Sequence, residues 1–500
     1  MQYLDEYSVI VAGGGPGGIM AALASARTGA STLLVERGAF LGGAATRSQI
    51  GPISPFHFGD EQVVRGLPQE FIDALVAAGG ATGHMKCLNP HGTGGYVCVY
   101  DHNTYKFVAQ ELLLDAGVDI LFHATVSGVL KSDNCVAGVT VSSKFGSRVF
   151  RSQVVVDATG DGDVAVLAGE TYTYGDGKGG AQPASAMFEM AGVDADRLYQ
   201  YVLGHPEQFG RLSDLVPMRD DVSFNDRRFF VAQGYRDLVL SAKHDGTLLS
   251  GRDDVHTTSG FHPGIMHFNS VRISGSDNTD LMVRSRSEVD GRRQIESIAR
   301  FMVRHVPGFE HAYVSATGGE IGVRESRHIH GQYILTGEDI LKAERFPDVI
   351  ARGCFAVDIH GAPPKKAASP NKPAGAGGFW QDLEDAYDIP YRSLVPQKAD
   401  GLLLAGRCIS SDAVAHSSFR TQGTLMGYSQ AAGVAAALCS VQSVQPRNLA
   451  HTDVQKRLIE MGASPFRDEN LREKEQERAR EIARAYIEKM RPLITPEQYL

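Results

Sequence analysis

Residues 8–12 (SVIVA) are apolar, largely β-branched, and stop abruptly at glycine, the pattern of a short strand buried on both faces. Beyond a glycine-rich turn, residues 19–27 are rich in alanine and give way to Gly29, which predicts a helix closed by glycine. A second apolar run over 31–35 ends in Glu36. Residues 104–116 predict another helix and 117–122 a strand. Alternation of apolar and polar positions over 125–150 predicts a three-stranded meander. Two further apolar runs break into turns of small residues, VVVDATGDGD at 154–163 and LLLAGRC at 402–408. After the second, residues 426–438 (MGYSQAAGVAAAL) predict a helix made almost entirely of small and apolar side chains.

The middle of the chain, 171–384, has another texture. It is rich in arginine and histidine and carries stretches that read as loops, 250–264 among them. Residues 362–378 hold four prolines and three glycines with Lys365, Lys366 and Lys372, which predicts a surface loop or a lid, with Phe379 and Trp380 directly after it. Near the end, residues 467–490 carry seven acidic and seven basic side chains between Pro465 and Pro492. This predicts a solvated amphipathic helix, with contact to a second copy in a homo-oligomer as its other role.

Composition narrows the classes. Glycine takes 56 of 500 positions, well above the ~7% average, without a collagen period. The net charge of −9 argues against a general nucleic-acid or anionic-membrane binder. Six cysteines never fall in C-x-x-C spacing, which leaves out a thioredoxin-type pair or a ferredoxin-like cluster. No apolar stretch reaches the ~18–20 residues that span a bilayer, so a soluble cytoplasmic protein without a membrane partner is expected.

The turn after the first strand contains G-x-G-x-x-G at Gly13, Gly15 and Gly18. Gly13 permits the tight turn, Gly15 lets the backbone approach a pyrophosphate, and Gly18 allows helix and strand to pack closely. The helix N-terminus offers free N–H groups and positive dipole to that anion. Glu36, 23 residues after Gly13, stands where a ribose hydroxyl would be bound and disfavours a 2′-phosphate. An NAD site needs nothing more. The later strand ends at 154–163 and 402–408 and the small-residue helix suit FAD, whose flavin lies far from its adenine.

These pieces, GGGPGG with ERGAFLGGAAT, VVVDATGDGDVAVLAG, GGEIGVRESRHIHGQYILTGEDI, YDIPYRSLVP, LLLAGRCISSD and FRTQGTLMGYSQAAGVAAAL, span 8–440. On them the chain resembles the glutathione-reductase-like FAD-dependent oxidoreductases, and among these the bacterial FAD-dependent oxidoreductases without a separate NAD(P)H domain. The resemblance implies an α/β chain with a discontinuous Rossmann-like FAD-binding domain of glutathione-reductase type at 1–170 and 385–445. An α+β substrate domain is inserted at 171–384, and a helical appendage follows at 446–500. It implies FAD contacts from Gly13, Gly15, Pro16 and Gly18, from Glu36 and Arg37, and from Gly43 and Thr46. Backbone at Val126 would meet the adenine. Thr159, Gly160, Asp161, Gly406 and Arg407 would line the pyrophosphate and ribityl chain, and N–H groups around Thr424 and Leu425 would face the pyrimidine end of the flavin. The chain departs from disulfide reductases in lacking a second dinucleotide fingerprint and a redox-active cysteine pair.

On the substrate side, a strand through VRESRHIHG would put Arg324, His328 and His330 on one face, with Glu325 and Arg327 on the other. The same residues also suit an interdomain salt-bridge network. His416 and Arg420 precede the flavin-side helix, and Arg47 and His57 are further candidates; His360 and Arg392 read as structural or functional alike. Arginines would grip a carboxylate and a histidine would carry the proton that accompanies hydride transfer. His256, His262 and His267 lack metal-ligand spacing, so no metal is expected. The expected function is hydride exchange between flavin N5 and a small polar or anionic substrate, with a further electron donor or acceptor as partner. Two alternatives are a flavin monooxygenase using NAD(P)H and oxygen, and a flavoprotein with structural FAD whose insert binds a macromolecule such as RNA.

Overall fold

The computed structural model describes residues 3–88, 95–219, 224, 227–274, 277–361 and 378–490. All of the expected loop at 362–378 except Gly378, and residues 491–500 of the expected appendage, lie outside them. Six elements frame the first layer: β1 (Glu6–Ala12), α1 (Pro16–Arg27), β2 (Thr32–Val35), β3 (Gly146–Asp157), β4 (Leu402–Leu404) and α2 (Gln422–Gln442). The strand Asp119–Leu121, β2, β1, β3 and β4 run parallel in that order. Val9, Ile10, Val11 and Ala12 are fully buried, as a parallel strand covered on both faces requires.

The meander and the third buried run are one structure. β3 pairs antiparallel with Cys135–Ser143 through its first half and parallel with β1 and β4 through its second. A single strand therefore ties the meander Thr125–Ser132, Cys135–Ser143 to the nucleotide-type sheet.

The second layer is an eight-stranded antiparallel sheet in the order Tyr313–Thr317, Phe188–Ala191, Met266–Phe268, Val255–Ser259, Phe229–Gly234, Arg211–Pro217, Met85–Leu88, Tyr96–Val97. Its core forms around the stacked rings of Phe188 and Phe268 and the buried face of the helix Leu281–His305. Two segments sit outside the expected division of the chain. The strands Met85–Leu88 and Tyr96–Val97 belong to this second sheet although they fall within 1–170. Ile329, Leu335, Ile340, Ile350 and Val357 pack into the first core although they fall within 171–384. The expected loop at 250–264 contains the strand Val255–Ser259. In the appendage, Val454 and Leu458 join the first core, and the helix Glu469–Met490 docks on 61–65 through Glu475, which accepts from the N–H of Gln62 at 2.7 Å and pairs with Arg65. Among the described residues no helix is long and apolar enough to cross a membrane.

What sets the first layer is the approach of α1 to α2. Both helices are buried around most of their circumference, so each needs small residues where the other crosses. A Cβ on Gly433 would overlap the carbonyl of Ala21, and one on Gly17 would lie 2.8 Å from Ser429 Oγ. Because the obstacle at Gly433 is backbone, Gly433→Ala should lower stability by about 1–3 kcal/mol through overpacking. The urea midpoint of the variant checks this; an unchanged midpoint would mean that the two helices part without cost.

Candidate functional site

The turn between β1 and α1 is built from main chain. Gly13 has φ +105°, and a Cβ there would stand 2.5 Å from the carbonyl oxygen of Ala158, so the position admits glycine. Gly18 would collide with the Gly13 carbonyl if it carried a side chain. Pro16 fills the first helical position, where its missing N–H costs nothing. Gly15 differs: its φ is −71°, and a Cβ would meet nothing within 4 Å. Gly406 likewise has no atom within 4 Å of where a Cβ would stand, although its φ of +66° already favours glycine, and Arg407 beside it has a buried Nη1 without a hydrogen-bond partner. Open space over two glycines, a helix N-terminus and an unpartnered guanidinium nitrogen form a cradle that fits a dinucleotide pyrophosphate.

Other expected positions hold this cradle in shape. Glu36 is buried, with Oε2 accepting from the N–H of Gly14 at 2.8 Å, Oε1 accepting from that of Gly38 at 2.6 Å, and an ion pair to Arg47. Gly43 lies against Gly15, and the Thr46 hydroxyl donates to the Leu41 carbonyl at 2.6 Å. Thr159 donates to Asp157 at 2.7 Å, and Asp157 also accepts from the N–H groups of Thr159 and Ala165. Burial pushes the Asp157 carboxyl up to about 6 despite those bonds. Gly160 lies against Arg407. Val126 is partly buried near the start of the meander. At the head of α2, Leu425 N–H closes the first turn onto Thr421 and Gly423 N–H reaches the Ser54 carbonyl. Of the first N–H groups, Gln422 and Thr424 then remain without a protein partner, among the described residues.

Charges from both layers alternate across the cradle. Glu36 pairs with Arg47; Arg47 stands 3.8 Å from Glu320; Glu320 meets Arg37 at 2.5 Å and Arg284 at 3.4 Å; Asp161 meets Arg284 at 3.7 Å and Arg407 at 3.1 Å. Burial raises the Asp161 carboxyl, and Arg407, the Ser326 hydroxyl and Arg284 outweigh it and hold it below its ordinary range. Arg47, a candidate for the substrate side, thus faces Glu36. Arg284 and Glu320 were missed: Glu320 stands in a recognised segment, and nothing along the chain points to Arg284.

The expected strand through VRESRHIHG is short. Only Arg327–Ile329 is extended, against Tyr172–Tyr174, so the alternation does not carry from Arg324 to His330. His330 leaves the expected group, its two ring nitrogens lying 2.9 Å from Thr173 Oγ1 and 3.1 Å from Thr171 Oγ1. His328 is buried between Glu325 Oε1 at 3.1 Å and Ser411 Oγ at 3.4 Å. His416 joins them from the helix Ala413–Phe419, its ring 4.6 Å from that of His328 and its Nδ1 4.0 Å from Glu325 Oε1. Burial, reinforced by His328 and Arg420, drives the His416 pKa well below 6.5, so its imidazole is neutral.

Arg420 donates to the Asp358 carbonyl at 3.1 Å and lies 3.6 Å from its carboxylate, which His360 also meets at 2.9 Å. Arg324 donates to the Pro183 carbonyl at 2.5 Å, and among the described residues no carboxylate stands within 4 Å of it. Burial, then the charge of Arg420, pushes its pKa down to about 9. A partly buried cation held beside another cation is a place that favours an incoming anion. His256 and His267 lie on strands, not loops, and the ring of His57 lies tilted against that of Tyr96 with a centroid distance of 4.3 Å.

The chain matches the FAD dependent oxidoreductase family over residues 8–458. It is 28% identical over 206 residues to digeranylgeranylglycerophospholipid reductase 1 of Methanococcoides burtonii, covering 39% of this chain and 47% of that protein. The chain thus spans about half the length of the curated relative it matches. Two solved structures are similar at 14% identity and a TM-score of 0.43. One is a geranylgeranyl bacteriochlorophyll reductase-like protein of Thermoplasma acidophilum, covering 91% of this chain and 83% of that one. The other is the flavin-dependent brominase Bmp2, at 87% and 80%. With the Rossmann-like sheet, the glycine turn at the head of α1 and a family match over most of its length, this chain belongs to the FAD-dependent oxidoreductases, an enzyme whose cofactor is FAD.

Proposed function

We propose that the enzyme exchanges a hydride between a small anionic organic substrate and FAD bound in a glutathione-reductase-type arrangement. The observation that carries this reading is Arg324, a cation without a carboxylate within 4 Å among the described residues, set beside Arg420 and one residue from the Glu325–His328–His416 cluster. The FAD-binding unit is discontinuous on this reading, returning to the first core near residue 329.

Gly15, Gly406 and Arg407 would hold the pyrophosphate, Glu36 the ribose, and the outward N–H groups of Gln422 and Thr424 the pyrimidine end of the ring. Bound FAD supplies the two-electron hydride site at its N5. Arg324 and Arg420 bind the substrate anion by charge-assisted hydrogen bonds and so fix its reacting carbon. His416 is neutral and therefore able to accept a proton. His416 Nδ1 lies 4.0 Å from Glu325 Oε1 without a hydrogen bond, so Nε2 is the atom that would take the substrate proton as the hydride leaves, with the Glu325 carboxylate as a nearby counter-charge.

The experiment is anaerobic mixing of holoenzyme with a panel of small hydroxy, amino and unsaturated carboxylates, read as bleaching of the flavin band near ~450 nm. Bleaching by a member of the panel is expected. No bleaching by any, together with rapid bleaching by NADPH and oxygen incorporation into a product, would replace the proposal with the monooxygenase reading. Arg324→Met should weaken binding of the reactive carboxylate about 10–100-fold, the worth of a hydrogen bond to a charged group. It should shift the thermal midpoint little, because the loss of one hydrogen bond to the Pro183 carbonyl is offset by removal of a cation held beside Arg420.

The cradle gives a second contrast. Gly15→Ala should fold with wild-type stability, since its φ suits alanine and its methyl meets no protein atom, yet be purified with FAD largely lost. Gly13→Ala should fail to fold, its methyl meeting the Ala158 carbonyl. Full FAD content in Gly15→Ala would remove that position from the cofactor site.

A further inference from the structure

Three side chains from distant parts of the chain meet where the two layers face each other. Glu189, on the strand Phe188–Ala191, and His267, on Met266–Phe268, are direct cross-strand partners and project from the same face of the second sheet. His102, at the first position of the helix His102–Asp115, approaches them from the first layer, its ring 5.9 Å from that of His267. One ligand atom of each residue lies within 4.8 Å of the others.

The spacing separates this group from a hydrogen-bonded network. Glu189 Oε1 stands 3.6 Å from His102 Nε2 and 3.8 Å from His267 Nδ1, too long for hydrogen bonds. Ligand atoms bound at about 2.0–2.2 Å around one ion stand about 3.3 Å apart, so each histidine needs to approach Glu189 by only a few tenths of an ångström, and the two histidine nitrogens already lie within 4.8 Å of each other. The orientation of His102 is fixed from behind: its Nδ1–H donates to the Ala45 carbonyl at 2.9 Å, which leaves the Nε2 lone pair directed forward. Such a second hydrogen bond accompanies most metal-bound histidines. The three residues also line one cavity with Gly51, Tyr100 and Ser259, and His267 is only 6% exposed. Open coordination positions would face that cavity.

We propose that His102 Nε2, Glu189 Oε1 and His267 Nδ1 bind a first-row divalent cation, leaving sites open for an oxygen ligand of the substrate. Two histidines and one carboxylate suit zinc, iron(II), manganese or cobalt. The other His–Glu group is a poorer site: His328 Nε2 is hydrogen-bonded to Glu325 at 3.1 Å, and the residues are not on that cavity.

The test titrates zinc ion into holoenzyme stripped with a chelator, read by calorimetry and by metal analysis after dialysis. One zinc per chain is expected, at micromolar affinity or tighter. Glu189→Gln and His102→Gln, each checked for wild-type FAD content and thermal midpoint, should each weaken binding at least about 100-fold, beyond the 10–100-fold typical of second-sphere changes. If either variant fails to fold, the other carries the test, and His267→Gln is the third. Absence of stoichiometric binding by the wild type at about 100 μM would overturn the proposal. So would equal affinity in folded Glu189→Gln, or a site lost in His416→Gln and kept in Glu189→Gln. Because zinc affinity is read without turnover, failure here leaves the hydride reading standing, and failure of flavin reduction leaves this one.

Discussion

The structure turns on backbone coming close to backbone around one buried turn. β1, β3, α1 and α2 meet so tightly that Gly13, Gly18 and Gly433 each stand where a methyl group would enter a main-chain carbonyl. Interiors are close-packed, and a carbonyl cannot swing aside as a long side chain can. The same closeness puts the head of α1 beside the strand ends, where its N–H groups face outward. Gly15 stands apart from these three: its φ is −71° and no protein atom lies within 4 Å of where its Cβ would be. Neither backbone geometry nor packing asks for glycine there, which sets it apart from the glycines that build the turn.

The first layer was legible in the chain because its signals are local. A buried parallel strand reads as an unbroken apolar run, a glycine turn follows at fixed spacing, and a helix packed on all sides reads as small residues throughout. β1, α1, β2 and α2 each emerge within a few residues of their observed limits. The second layer is less legible. Strands such as Met85–Leu88 and Tyr96–Val97 are too short to show a period, and the strand that ties them into the sheet, Arg211–Pro217 beside Met85–Leu88, lies more than a hundred residues away. Pairing of that kind is decided by tertiary contact, which also hides the return of Ile329 through Val357 to the first core.

The polar site was legible as residue types rather than as neighbours. Arg324, Glu325, His328, His416 and Arg420 attract notice in the sequence, but alternation over 324–330 assigns Glu325 to the wrong face. The backbone is extended only over Arg327–Ile329, so Glu325 turns in toward both histidines while His330 turns out to Thr171 and Thr173. Period-two reasoning holds as far as the strand does and no further. Arg284 and Glu320 escape notice for another reason: each acquires its role from a partner supplied by the opposite layer.

The two His–Glu groups show how the same residue types are sorted by distance and surroundings. In one, Glu325 bonds His328 at 3.1 Å and the N–H of Gln182 at 2.8 Å, and all three side chains are almost wholly buried. Its carboxylate is already committed to fixing an imidazole and compensating its charge, a role that needs contact. In the other, Glu189 keeps its histidines at 3.6 and 3.8 Å and shares a cavity with them. A partly buried carboxylate set slightly beyond hydrogen-bond length from two imidazoles suits an ion that bonds to all of them. Spacing alone along the chain could not reveal this, because His102, Glu189 and His267 come from three segments that only the docking of one layer on the other brings together.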